Sequence, residues 1–138
     1  MDTQTLIAFI RAQPWAVQAS VSPDGAPQAA VIGVVVSDSL ELFFDTSAAS
    51  RKCRNLRREP RLALVIGWDQ GQTVQLEGRA DEPTGADLIR LQELYFARFP
   101  DGRARQAWPD IAYVRVRPTW IRYSDFRQDP PRIVQVAP

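Results

Sequence analysis

The stretch Phe43-Phe44-Asp45-Thr46-Ser47-Ala48-Ala49-Ser50-Arg51-Lys52 decides how this chain is read: a hydrophobic strand end passes through hydroxyl residues into a helix start bearing two cations. The first turn of a helix leaves N–H groups unpaired and carries a partial positive charge. Hydroxyls followed by Arg and Lys at that point therefore fit a phosphate seat. The same spacing also fits a capped helix with a solvated basic face.

Downstream, Ala48 to Arg58 has helical spacing, with Ala49, Cys53 and Leu56 on one face and Lys52, Arg54, Arg57, Arg58 and Glu59 around the rest. Pro60 ends the helix, because the residue before a proline is pushed out of the helical region. Arg61 to Trp68, with Leu62-Ala63-Leu64-Val65-Ile66 at its centre, reads as a strand, which Asp69-Gln70-Gly71-Gln72 turns into Thr73 to Ala80. In that strand Val74, Leu76 and Gly78 face one way and Thr73, Gln75, Glu77 and Arg79 the other. Thr84 is expected to cap a second helix, with Asp87 as its capping-box partner and Leu88, Leu91, Tyr95 and Phe99 as its core stripe. Ile111 to Tyr123 alternates again as a last strand or strand pair, and the proline-bearing tail from Asp125 is extended.

Upstream, Leu40 to Phe44 is the third strand of a meander. Before it come the valine-rich strand Gln28 to Val36, the turn Ser22-Pro23-Asp24-Gly25 and the alternating strand Trp15 to Val21. That first strand sets Trp15, Val17, Ala19 and Val21 opposite Ala16, Gln18 and Ser20. Thr3 to Gln13 reads as a short amphipathic helix, capped by Asp2 or Thr3 and stopped by Pro14. About six short, mostly antiparallel strands with two or three helices predict a mainly β protein, a small barrel with helices at its ends.

The chain has 138 residues, the size of one domain spanning 1–138, with 45% hydrophobic and 24% charged residues and a net charge of +1. No apolar run is long enough for a bilayer. The start, Met1-Asp2-Thr3-Gln4, lacks the pattern of a signal peptide, so a cytoplasmic protein without membrane contact is expected. With no histidine and a single cysteine, Cys53, the chain lacks the usual parts of zinc, haem and Ser-His sites. That leaves chemistry carried by a bound organic cofactor, or none.

The run Phe44 to Lys52, followed by Asn55-Leu56 and Pro60-Arg61-Leu62-Ala63-Leu64-Val65, resembles the pyridoxamine 5′-phosphate oxidase-like family of FMN-binding split barrels. The likeness extends from about Ala16 to Ala80. It implies a six-stranded antiparallel Greek-key split barrel, a homodimer with FMN at the subunit interface, and a flavin-dependent oxidoreductase acting on a small-molecule substrate. By resemblance, Thr46 and Ser50 contact the FMN phosphate and Arg51 and Lys52 are its counter-charges. Asp45 stands where an aromatic residue often sits. The strand from Ala30 to Val35, Val31 and Ile32 included, lies along the flavin ring. Thr73 aligns with a glutamine directed at the flavin, with Gln75 on the same face two residues on, and Trp120 fills the role of an aromatic laid near the ring by the partner subunit.

Two departures accompany the likeness. Ala30 and Val35 stand where the oxidase carries basic residues, and the C-terminal Arg-x-His substrate motif is missing, so oxidation of pyridoxamine phosphate itself is not expected. Two other readings stay open. One is a flavin or deazaflavin module without turnover, with haem disfavoured by the missing histidine. The other is nucleic-acid binding through the basic run 51–61, which the near-neutral net charge opposes.

Overall fold

The computed structural model covers residues 1–138 and folds as one curled antiparallel sheet with four helices. The elements in order are α1 (Thr3–Arg11), β1 (Trp15–Val21), β2 (Pro27–Gly33), β3 (Val35–Val36), β4 (Leu42–Ser47), α2 (Arg51–Arg58), β5 (Arg61–Ile66), β6 (Gln72–Asp81), α3 (Gly85–Arg98), α4 (Gly102–Arg105), β7 (Ile111–Asp125) and β8 (Arg132–Val136). The sheet order is β2-β1-β5-β6-β7-β4-β3, with β8 added against the second half of β7. Strands β5, β6 and β7 are neighbours in sequence order and β4 returns beside β7, which is the Greek-key arrangement.

The expected strand Gln28 to Val36 is broken at Val34. Its first part pairs with β1 and its second with β4, so one chain segment supplies both ends of the sheet and draws them together into a split barrel. Counting β2 and β3 as one strand, the six expected strands are present, and the extended tail contributes β8 as an addition. The last strand is single and runs through Pro118, which sits opposite Gly78 where the register shifts by one residue. Gly78 is required there, because a Cβ would lie 2.6 Å from the Arg117 carbonyl oxygen.

Inside the barrel lie Ile32, Leu42, Phe44, Leu62, Leu64, Ile66, Val74, Leu76, Val114, Val116 and Ile121, all buried. Helix α1, whose Asp2 cap accepts a hydrogen bond from Thr5 N at 2.7 Å, buries Leu6, Ile7 and Ile10 in the same core. On β1 the buried row is Ala16, Gln18 and Ser20, while Trp15 is half exposed and Val17, Ala19 and Val21 are only partly covered. Hydropathy alone favours the reverse. The polar row is kept inside because Asn55 of α2 donates from Nδ2 to Ser20 Oγ at 3.2 Å and to Gln28 Oε1 at 2.9 Å.

Helix α3 covers the other side of β4 and β7, burying Leu91, Tyr95 and Phe96. Thr84 occupies its cap position without a side-chain hydrogen bond, and Asp87 is not a capping-box partner. It bonds instead to Arg90 at 3.1 Å and approaches Arg115 at 3.5 Å. Arg115, 7% exposed, also pairs with Asp81 at 2.8 Å and Glu41 at 3.2 Å, while Arg90 joins Glu41 at 3.0 Å. This network ties α3 to β6, to β7 and to the residue just ahead of β4. The Arg90 hydrogen bond holds the Glu41 carboxyl below its usual value, and the Arg115 hydrogen bond does the same for Asp81.

Because both carboxyls are depressed in the folded state, their stabilisation is whole above the ordinary carboxylate range and is lost as pH falls through the lowered values. Arg115→Met should lower the unfolding free energy at pH 7 by about 2–3 kcal/mol, the modest end for a buried pair because Asp81 remains partly exposed. Urea denaturation should find a smaller loss at pH 3. Equal losses at both pH values would contradict a stabilising role for this network.

Candidate functional site

The end of β4 and the start of α2 carry the hydroxyls. On a strand, neighbouring side chains point to opposite faces, so Thr46 turns inward while Asp45 turns outward. Thr46 Oγ1 lies 3.1 Å from Ser50 Oγ, and Ser50 caps α2 by accepting from Cys53 N at 3.2 Å. Arg51 and Lys52 occupy the first turn above β1 and β2 and line a groove of about 140 Å³ with Gln18, Ser20, Gln28, Ala29 and Ala30.

The basic run divides sharply by partner. Arg54 donates to the Ala49 carbonyl, Arg57 pairs with Glu82 at 2.7 Å, Arg58 donates to the Val21 carbonyl and Arg61 pairs with Glu59. Arg51 and Lys52 make no hydrogen bond or ion pair. Two uncommitted cations at a helix start, beside the Gln18 and Gln28 amides, make this groove suited to an anionic oxygen ligand. Cys53 beneath them is buried, and burial pushes its thiol pKa up, so it is no nucleophile at neutral pH.

The remaining sequence-derived candidates fall elsewhere. Asp45 accepts from Tyr95 OH at 3.0 Å and from Arg105 Nε at 2.8 Å, which commits it to anchoring α3 and α4 on the side away from the groove. Burial and the Asp45 charge raise the Tyr95 pKa, keeping that phenol a donor. On β2, Gln28, Ala29 and Ala30 line the groove. Val31 projects from the outer face at 61% exposure, and Ile32 is buried inside.

The outer face carries a second group. Cross-strand partners run Val31–Val17–Val65–Gln75–Arg122, and the next row runs Ala29–Ala19–Ala63–Glu77–Trp120. Gln75 Oε1 accepts from Arg122 Nη2 at 2.7 Å, and the Arg122 guanidinium lies 5.4 Å from the Trp120 ring centre. Thr73 follows on the same strand face with its hydroxyl buried and unbonded. Of the sequence-derived candidates Arg51 and Lys52 line the groove, whereas Thr46, Ser50, Thr73, Gln75 and Trp120 do not. Partly exposed valine and alanine rows make an apolar outer face, bordered by an open groove of about 550 Å³ beside Ala19 and Ala63.

Gln18, Gln28 and Arg122 were not among the sequence candidates. Gln18 and Gln28 become visible once β1 is known to turn its polar row inward, and Arg122 stands two residues beyond Trp120 on one strand face.

A Greek-key split barrel with an anion groove at the start of a short basic helix defines a class of small barrel proteins. A family model described as pyridoxamine 5′-phosphate oxidase matches residues 3–125, and the chain belongs to that family. It is 34% identical over 91 residues to a pyridoxine/pyridoxamine 5′-phosphate oxidase of Burkholderia multivorans, a match covering 65% of this chain and 41% of the relative. The chain thus aligns with less than half of that enzyme. Among solved structures, a pyridoxamine 5′-phosphate oxidase-related, FMN binding protein from Nostoc punctiforme superposes with a TM-score of 0.71 at 14% identity, covering 94% of this chain and 85% of that one. A heme binding protein from Mycobacterium smegmatis gives 0.79 at 17% identity, over 94% and 56% of the two chains. At such identities the likeness establishes the fold.

The capping role of Ser50 predicts a stability effect independent of any ligand. Ser50→Ala should cost about 1 kcal/mol, and Ser50→Asp, which retains a capping oxygen, should restore most of it. Equal losses in the two variants, measured by urea denaturation, would contradict the cap.

Proposed function

We propose that this protein binds FMN as a homodimer, with the cofactor at the subunit interface, and is a flavin-dependent oxidoreductase whose small-molecule substrate differs from pyridoxamine 5′-phosphate. The observation that carries the phosphate end is the division of the basic run. Arg51 and Lys52 alone are uncommitted, and they border the groove with Gln18. A nucleic-acid surface is less well supported, since four of the cations are engaged within the protein and the net charge is +1.

The dimer is supported by the outer face. Its valine and alanine rows present small apolar side chains suited to sheet-on-sheet packing, and Val31 at 61% exposure is costly to leave in water. The FMN binding protein of Nostoc punctiforme supports the choice of cofactor. A haem ligand, suggested by the Mycobacterium smegmatis neighbour, has less support because the chain has no histidine.

FMN bound here would supply the electron-transfer chemistry. Thr46 and Ser50 would hold and orient the phosphate by hydroxyl contacts, and Arg51 and Lys52 by charge. The Val31–Val17–Val65 row, covered by the partner, would exclude water, and Arg122 beside Gln75 offers positive charge on the same face.

Purified protein should bind FMN with a dissociation constant in the range of about 1 μM, read by flavin fluorescence. Arg51→Ala and Lys52→Ala should each weaken binding by about ten- to a hundredfold, as befits the loss of a charge-assisted hydrogen bond. Arg57→Ala, which removes a cation already paired with Glu82, should change it by less than about twofold. Equal losses in all three would point to a diffuse basic surface. Val31→Asp should convert the dimer to a monomer in light scattering, and a wild-type monomer would contradict the proposed assembly.

A further inference from the structure

Gln18 lies in the middle of β1, 1% exposed, and its Oε1 has no hydrogen-bond partner. Its neighbours on the inward row are provided for, since Asn55 Nδ2 serves both Ser20 Oγ and Gln28 Oε1. A buried carbonyl left unpaired is destabilising, and an apolar side chain of the same size would avoid the cost. Gln18 is also one of the residues lining the groove beside Arg51 and Lys52.

The groove therefore combines two kinds of recognition. The cations and the helix start offer positive charge to a phosphate. Gln18 Oε1 is an acceptor and calls for a donor, which a phosphate dianion cannot provide. A phosphate monoester of a polyol meets both demands, because its anion meets the cations while a hydroxyl close to the ester donates to the amide.

We propose that Gln18 is a specificity-determining residue of this site, accepting a hydrogen bond from a hydroxyl of the ligand's polyol chain next to the phosphate. This rests on the FMN reading above, in which that chain is the ribityl group. Gln18 then selects the phosphorylated polyol over a bare anion, in a groove where Ala30 offers no cation.

The test uses wild-type protein, Gln18→Leu and Gln18→Met, with FMN titrated directly and inorganic phosphate as its competitor. Both variants should raise the FMN dissociation constant about five- to tenfold, the size of one hydrogen bond. Their inhibition by inorganic phosphate should stay within about twofold of wild type, and the thermal midpoint of the free protein should hold or rise. Unchanged FMN affinity in both variants overturns the assignment, as does equal weakening of FMN and phosphate. A lowered midpoint without a change in the FMN-to-phosphate ratio makes Gln18 structural and overturns it too. If wild-type protein binds no FMN, the flavin reading fails and this inference with it. If wild type binds FMN and the variants bind it equally, only the Gln18 assignment fails.

Discussion

One constraint shapes the rest of the molecule: the segment Pro27–Val36 must serve both ends of the sheet. Its first seven residues pair with β1, and beyond Val34 its last two pair with β4. A strand that changes partners curls the sheet and brings β4 round toward β1. The chain leaving β4 needs only a short turn before α2, which then rests its start above the inward row of β1. Asn55 fixes that placement by bonding to Ser20 on β1 and Gln28 on β2. The position of the two free cations follows from this closure of the barrel.

The charge distribution has the same logic. Most of the arginines are committed to structure, in the network around Arg115, in the Asp45–Arg105 pair that anchors α4, and in the internal bonds of Arg54 to Arg61. Seventeen basic residues against sixteen acidic ones therefore conceal a strongly local field. Part of it lies where Arg51 and Lys52 meet the helix start and border a groove with Gln18 and Gln28.

Much of the fold was legible in the sequence because local chemistry decides it. Pro23, Asp24 and Gly25 turn the first hairpin, Ser50 and Pro60 bound α2, and the alternation of β6 puts Val74, Leu76 and Gly78 inside. What local pattern leaves undecided is which row of a strand faces inward. On β1 the apolar row lies on the outer face, and the polar row is held inside by Asn55, whose help comes from a distant helix. That choice hid Gln18. Asp45 could have been set apart from Thr46 by the two-residue period alone, since adjacent strand residues do not serve one side. Its actual partners, Tyr95 and Arg105, lie fifty or more positions away and leave no local signal.

On the FMN reading a phosphate ester occupies the groove between the start of α2 and the inward row of β1. A crystal structure of the protein grown with FMN tests it most directly. The phosphate should lie between the Thr46 and Ser50 hydroxyls and the Arg51 and Lys52 side chains, with a ribityl hydroxyl on Gln18 and the ring leaving along β2 toward the outer face. A phosphate bound elsewhere, or a groove closed by Gln18 bonding to Arg51 or Lys52 while FMN lies on another surface, would contradict it.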